Sequence, residues 1–416
     1  MKLSTIAAVL AIRVSSCTSD GPISPISIGD QDSDAWHRTR LSLLFKGKGG
    51  DPTDSLDNFR GIASEATLKK IFFKGVIRRI EVSVENRLPP QQFGFRRGTG
   101  TRDALHVVIS EIERTFAREE MLYAVLVDCK KAFDRAPRHL MARALKNAGV
   151  NGSMLGVILA FFDDDKLQVD TGSGAAYVLQ NRGTPQGDPL SCIAFSLLLA
   201  DLPSEVLHEF RTGFIAMYAD DIIIAHRNRL LTQNMLNLVG RILQQNGLDL
   251  NPAKTEVLKY RRGGPLGARD RFYWQGERLE IVPSAKYLGV RLQTSGLVFT
   301  SHIEEVVSRS LTTVYADIGD PYGLSIETAI KLFELKLLPQ VSYGLERLWE
   351  YLTTANLRTL ERSFTVFMKR TLRLSRSSKS RYVYLMADTV PMVETIRARV
   401  KGSRTQAFEE FISSWR

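Results

Sequence analysis

Short apolar runs and longer amphipathic segments alternate along the chain until about Ile303, after which only helical spacing remains. Leu43 opens a short strand, followed by a basic, glycine-rich loop that runs to Ile62. Between residues 64 and 87, Leu68, Ile71, Phe72, Val76 and Ile80 share one helical face, and Pro89 and Pro90 end the helix. A second amphipathic helix carries Leu105, Val108, Ile109, Ile112 and Phe116, with Thr101 as its expected N-cap. Leu122 to Val127 is an unbroken apolar strand that stops at Asp128. Pro137 to Ala148 reads as a helix with Gly149 past its end, and Leu167 to Arg182 as a hairpin around Gly172 and Gly174. Pro189 to Phe210 reads as one long apolar helix, and Leu230 to Asn246 as a helix closed by Gly247. Short strands are expected at Phe272 to Trp274, Leu279 to Val282 and Tyr287 to Leu292, after a basic loop that follows Tyr260. Pro321, Pro339 and the Ser/Arg-rich run from Arg373 to Arg381 punctuate the helical tail. No internal repeat is present, so the pattern predicts an α+β body followed by a helical tail, with at least two subdomains.

One strand pair is interrupted by charge. In MYADDIIIA, residues 217 to 225, Asp220 and Asp221 sit between apolar runs that would otherwise be buried. Desolvating such charges without compensation costs on the order of several kcal/mol each. If the strand ending in Asp128 neighbours this hairpin, three carboxylates converge; without a cation they repel, and at least one holds its proton. Mg²⁺ relieves the conflict, since it is held by one or two carboxylates plus substrate phosphates, and a metal pair clamps both oxygens of an in-line phosphoryl transfer. Taken alone, the Asp-Asp dipeptide is a polar hairpin turn. Asp128 at a strand end and a basic chain turn the reading towards a metal site.

The chain has 416 residues, with 56 Lys and Arg against 45 Asp and Glu, a formal charge of +11. That excess suits an acidic partner such as nucleic acid; the plain alternative is a basic solvated surface. Cys17, Cys129 and Cys192 are scattered and odd in number, which supports neither a disulfide framework nor a zinc cluster and suits a reducing compartment. At the N-terminus the apolar run from Leu3 to Ile12 ends at Arg13 without a clear cleavage site, and residues 18 to 36 are rich in Ser, Asp, Gly and Pro. Residues 1–42 therefore read as a disordered or uninterpretable N-terminal segment, and neither secretion nor a later membrane span is expected.

Five segments occur in order: LVDCKKAFDRAP (126–137), NRGTPQGDPLSC (181–192), MYADD (217–221), GLDLNPAKTE (247–256) and AKYLGV (285–290). Together they resemble the palm of a reverse transcriptase, specifically that of the non-LTR (LINE-like) retrotransposons. LLFKGKGGDPTDSLDNFRGIA and QQFGFRRGTGTRDA resemble the fingers of the same family, so the likeness covers Leu43 to Leu292. It implies a right-hand polymerase fold, with fingers and palm over 43–292 and a mainly helical thumb and connection over 293–416. The implied activity is RNA-directed DNA polymerisation, adding dNTPs to a primer 3′-OH, with target-primed reverse transcription as its setting.

The same resemblance implies roles for individual residues. Asp128, Asp220 and Asp221 would hold two Mg²⁺ ions, or Mn²⁺ in their place, with Asp220 ranked above Asp221. Lys254 matches the proposed acid for departing pyrophosphate, or is a surface lysine. Phe133 matches the aromatic residue that senses the sugar 2′ position, or is core. Gln186 and Gly187 lie in a loop entering a helix N-terminus and resemble nucleotide and template contacts. Arg60 and Lys70 resemble triphosphate-gripping residues, and Arg96 and Arg97 template-phosphate contacts. Tyr287, Leu288 and Gly289 resemble the primer-grip hairpin, or form an ordinary strand. The expected partners are an RNA template, a DNA primer, dNTPs and the protein's own encoding RNA, in a nuclear or cytoplasmic ribonucleoprotein. Several features depart from the family: no endonuclease segment, no cysteine-rich segment, and Gly61 where many relatives carry Pro. They motivate a rival, a retroelement relic that binds nucleic acid without polymerising. A maturase-like enzyme shares the palm, but the spacing from MYADD to AKYLGV favours the LINE-like reading.

Overall fold

The computed structural model describes residues 38–45, 59–64, 67–163, 166–171, 174–179, 182–183, 189–261, 270–319, 321 and 323–403. The expectations for residues 1–37, for residues 46–58 of the glycine-rich loop and for the basic loop after Arg261 lie outside the described residues. Arg38 to Ser42, expected to precede the first strand, and Phe59 to Ile62, expected as loop, are instead strand, paired antiparallel from Arg40 opposite Ser64 to Phe45 opposite Phe59. Twelve strands are described: β1 (Arg38–Phe45), β2 (Phe59–Ser64), β3 (Leu122–Val127), β4 (Lys166–Thr171), β5 (Gly174–Leu179), β6 (Phe214–Tyr218), β7 (Asp221–His226), β8 (Glu256–Tyr260), β9 (Phe272–Trp274), β10 (Glu277–Val282), β11 (Ser284–Tyr287) and β12 (Val290–Gln293). They form a six-stranded sheet in the order β6-β7-β3-β8-β10-β9, a four-stranded sheet β2-β1-β4-β5, and the β11-β12 hairpin. Helices α1 (Thr67–Arg87), α2 (Thr101–Ala117), α3 (Arg138–Asn147), α4 (Gly152–Asp163), α5 (Pro189–Leu198), α6 (Leu202–Glu209) and α7 (Arg229–Gln245) are interspersed with these strands. The tail is helical throughout its described part, in α8 (Thr300–Ile318), α9 (Ile326–Leu332), α10 (Thr354–Thr371), α11 (Ser380–Ala387), α12 (Met392–Ser403) and shorter turns between them.

The six-stranded sheet is covered on both faces, which explains its unbroken apolar strands. Along β3, Tyr123, Val125 and Val127 join one core with Phe73, Val76 and Ile80 of α1, Met141 of α3, Phe195 of α5 and Leu236 of α7. The alternate residues Leu122, Ala124 and Leu126 join a second core with Leu105 and Ile109 of α2, Ile303 of α8 and Phe364 of α10. The helical tail thus shares a core with the back of the sheet and is not a separate appendage.

Four further local expectations are corrected. Gly100, extended at φ −158°, is the N-cap of α2; its N–H donates to Asp103 Oδ2 at 2.7 Å, and Thr101 is the first helical residue. The long helix expected from Pro189 to Phe210 breaks at Leu199–Asp201 into α5 and α6. Pro203 has no N–H to donate to the carbonyl of Leu199, so a continuous ladder fails there. By length and composition Pro189–Glu209 does match a membrane span, contrary to expectation, but 67% of its most apolar window is buried inside the protein. Finally, the strand expected from Tyr287 to Leu292 is a hairpin: Leu288 (φ 44°) and Gly289 (φ 84°) form a two-residue turn between β11 and β12.

Candidate active site

Strands β3 and β7 run antiparallel with Val127 opposite Ile222, so Asp128 leaves β3 at the end where Asp221 begins β7. Tyr218 pairs with Asp221 across β6 and β7, leaving Ala219 and Asp220 as a two-residue turn. Ala219 takes φ 55°, the positive value that such tight hairpins need at their first central position. A third segment grips the other side of Asp128. The N–H of Asn251 donates to the Asp128 carbonyl at 2.8 Å, and Lys130 N–H donates to Asp249 at 2.8 Å. The Asn251 side chain donates from Nδ2 to Asp128 Oδ2 at 2.9 Å, and Asp128 N–H donates to Thr255 Oγ1 at 3.2 Å. The turn after Asn251 carries Lys254.

A narrow cleft of about 90 Å³ opens here, lined by Asp128, Asp221, Lys254, Glu256, Lys286 and Tyr287 among others. It has room for ions and water, not for a nucleotide. A larger depression of about 540 Å³ lies elsewhere, between α7 and the β9–β10 turn, and contains none of these carboxylates. Size does not mark the site; charge does. Asp221 touches solvent but sits in crowded surroundings, and burial, then the charges of Asp220 and Asp128, push its carboxyl up to about 6. Burial also pushes the Cys129 thiol well up, with Asp220, Asp128 and Asp221 adding to the shift. The charges of Asp128 and Asp220 thus reach both Asp221 and Cys129. Among the described residues, no three His, Cys, Asp or Glu side chains are already gathered as a metal-ligand group. Two carboxylates facing one cleft still fit a hard divalent cation that takes its remaining ligands from water and phosphate.

The other sequence-predicted residues fall into three groups. Near the cleft, Tyr287 is buried, and its phenol is pushed up by burial and by the charge of Asp221. Leu288 and Gly289 form the adjoining turn, where the Leu288 carbonyl accepts from Tyr343 Oη at 2.9 Å. Phe133 stacks on Phe195 with centroids 4.5 Å apart and meets Phe95 edge-on at 6.4 Å; Phe95 in turn contacts Tyr218. In the second group, Arg96 is tied to Glu85 at 2.5 Å and to the Pro89 carbonyl at 3.0 Å, while Arg97 is 81% exposed beside Glu81. Lys70 lies in the first turns of α1. In the third, Gln186 and Gly187 lie outside the described residues, and Arg60 is described only by its β2 register opposite Leu44. Sequence reasoning missed Asn251, Gln92 and Lys286. All three lie inside quoted motifs, but Asn251 and Gln92 are neutral amides with no charge pattern to single them out, and Lys286 is one lysine among many.

A sheet of this order, with carboxylates at a strand end and at an adjoining tight hairpin, defines the palm of a right-hand polymerase. The chain belongs to the reverse transcriptase (RNA-dependent DNA polymerase) family, whose profile matches residues 47–292, more than half its length. It is 28% identical to the probable RNA-directed DNA polymerase from transposon BS of Drosophila melanogaster, over 64% of this chain and 31% of that protein. It is 24% identical to the Pol polyprotein of the type-1 retrotransposable element R2 of Popillia japonica, over 84% of this chain and 49% of that one. The polymerase of the mobile element jockey of Drosophila funebris is also 24% identical, over 74% of this chain and 35% of that protein. The chain thus spans a third to a half of the length of these relatives. Among solved structures, apo telomerase from Candida tropicalis aligns with a TM-score of 0.48 and 12% identity, covering 96% of this chain and 68% of that one.

Proposed function

We propose that this chain is the polymerase portion of a non-LTR retrotransposon protein, acting as an RNA-directed DNA polymerase that extends a primer 3′-OH with dNTPs. The observation that carries the reading is the β3–β7 register, which brings Asp128 to the acidic β6–β7 hairpin inside a reverse transcriptase palm. In this reading Asp128, Asp220 and Asp221 hold two Mg²⁺ ions, with Mn²⁺ as a substitute. When bound, such ions stabilise the attacking and leaving oxygens of an in-line displacement at the α-phosphate. The chain's own groups do the positioning. Asn251 fixes the Asp128 carboxylate, Lys254 stands where a proton can be given to departing pyrophosphate, and Phe133 faces the sugar and disfavours a 2′-hydroxyl. Arg60 and Lys70 grip the triphosphate. Gln186 and Gly187 meet the nascent pair, Arg96 and Arg97 steer the template, and the Tyr287–Gly289 turn guides the primer end.

In the same reading, residues 43–292 are fingers and palm and 293–416 are thumb and connection. The partners are an RNA template, a DNA primer and the protein's own encoding RNA, in a nuclear or cytoplasmic ribonucleoprotein engaged in target-primed synthesis. Primer extension on poly(rA)/oligo(dT) with Mg²⁺ tests the proposal. Incorporation of dTTP well above an Asp220→Asn control supports it. RNA binding without incorporation makes the chain a nucleic-acid-binding relic instead.

A further inference from the structure

We propose that Gln92, which lies outside the carboxylate cluster, is a positioning residue that sets the Ala219-Asp220 turn; the inference rests on the polymerase reading above. Gln92 is 1% exposed. Its Oε1 accepts two backbone N–H groups, from Gly94 and from Ala219, each at 2.9 Å. One side-chain oxygen thereby joins the loop after Pro90 to the acidic turn. The backbone extends the contact: Phe93 N–H donates to the Met217 carbonyl at 2.9 Å, and Met217 N–H donates to the Gln91 carbonyl at 2.8 Å. Gln92 and Met217 form a parallel bridge, so the loop covers β6, which is otherwise the edge of the six-stranded sheet.

Three features make this more than packing. Ala219 is buried and left-handed, so its N–H needs a partner in a conformation that disfavours a Cβ. Gly94 closes on the same atoms; a Cβ there would stand 2.5 Å from Ala219 N and 3.0 Å from the Tyr218 carbonyl carbon. Gln92 Nε2, by contrast, is buried with no hydrogen-bond partner. A residue kept only to fill space would be better apolar, because an unpaired buried amide is costly. The acceptor is needed, and it must be neutral: a carboxylate in its place would add a fourth negative charge beside Asp128, Asp220 and Asp221. The turn is held from one side by hydrogen bond and shape, which fixes where Asp220 and Asp221 point.

The test is single-nucleotide incorporation on an RNA template and DNA primer by wild type, Gln92→Met and Gly94→Ala. Gln92→Met keeps the volume and removes the acceptor, while Gly94→Ala presses on the same turn sterically, at Ala219 N and the Tyr218 carbonyl carbon. Both are expected to lower kcat about 100-fold, the cost of a small misplacement of catalytic groups. KM for the dNTP and primer–template affinity should stay near wild type, and the Mg²⁺ concentration for half-maximal rate should rise. An inactive wild type defeats the polymerase reading itself. An active wild type beside a Gln92→Met enzyme with undiminished kcat overturns this inference alone. So does a Gln92→Met protein whose kcat and primer–template affinity fall together with its melting temperature, the pattern of a merely structural residue. Should Gln92→Met fail to fold, amide exchange in wild type decides: a protected Ala219 N–H supports the clamp, and a freely exchanging one contradicts it.

Discussion

At Asp221, burial comes first and the charges of Asp220 and Asp128 next in pushing the carboxyl up to about 6, from 3.8. A folded value above the unfolded one means that the folded state holds this proton more tightly. The stabilisation is therefore present at low pH and is lost as pH rises from about 4 to about 6. Asp221→Asn removes the penalty that remains above that window. In EDTA near pH 8 the variant should be more stable by on the order of 1 kcal/mol, a figure reduced because the group touches water. Near pH 4 the difference should vanish, and thermal melts at the two pH values check it. Addition of Mg²⁺ should reverse the order, raising the melting temperature of wild type more than that of the variant. Asn251→Ala, which removes the amide bond to the Asp128 carboxylate, should cost about 10- to 100-fold in turnover, as loss of an orienting partner does. Phe133→Ala should raise incorporation of ribonucleotides relative to deoxynucleotides by about tenfold or more, read by competition between rNTP and dNTP. The variant should also melt lower, because the ring stacks on Phe195.

Among the elements, the β11–β12 hairpin shows how the cleft is braced from the tail. Glu305 of α8 accepts from Lys286 Nζ at 2.8 Å and from Arg291 at 2.7 Å, and these hydrogen bonds hold its carboxyl down at about 2. Its folded value lies below the ordinary 4.5, so its contribution is full above about pH 4.5 and is lost as pH falls through about 2. Glu305→Gln should destabilise the protein at neutral pH by about 1 kcal/mol, since the group is partly solvated, and by only a small fraction of that at pH 2. Denaturant titration at the two pH values measures this. Unbroken apolar runs made β3, β6 and β7 legible in the sequence, and the helical period of apolar residues did the same for α2 and α7. Tight turns were less legible. Leu288 looks like a strand residue, and only its positive φ and the Tyr343 hydroxyl on its carbonyl disclose the hairpin. The break between α5 and α6 falls at Asp201, the N-cap of α6, with Pro203 two residues on, and the apolar residues on either side mask it.

Across the molecule, two cores share one sheet, and the acidic hairpin stands where that sheet meets the loop carrying Gln92. The convergence of Asp128 with Asp220 and Asp221 was readable because all three interrupt or end apolar strands, where charge is conspicuous. The residues that aim them were not. Asn251 reaches Asp128 and Gln92 reaches Ala219 only through the tertiary fold, and neither position follows a period. The helical tail is tied to α2 by the Arg347–Glu113 ion pair and to the β11–β12 turn by Tyr343, so the tail and the sheet meet beside the cleft. The measurement that bears most directly on the whole account is single-turnover incorporation of dTTP on poly(rA)/oligo(dT) with Mg²⁺, comparing wild type with Asp128→Asn. The account predicts robust extension by wild type and a loss of about 1000-fold or more in the variant, with primer–template binding retained. Extension by Asp128→Asn at the wild-type rate would contradict it.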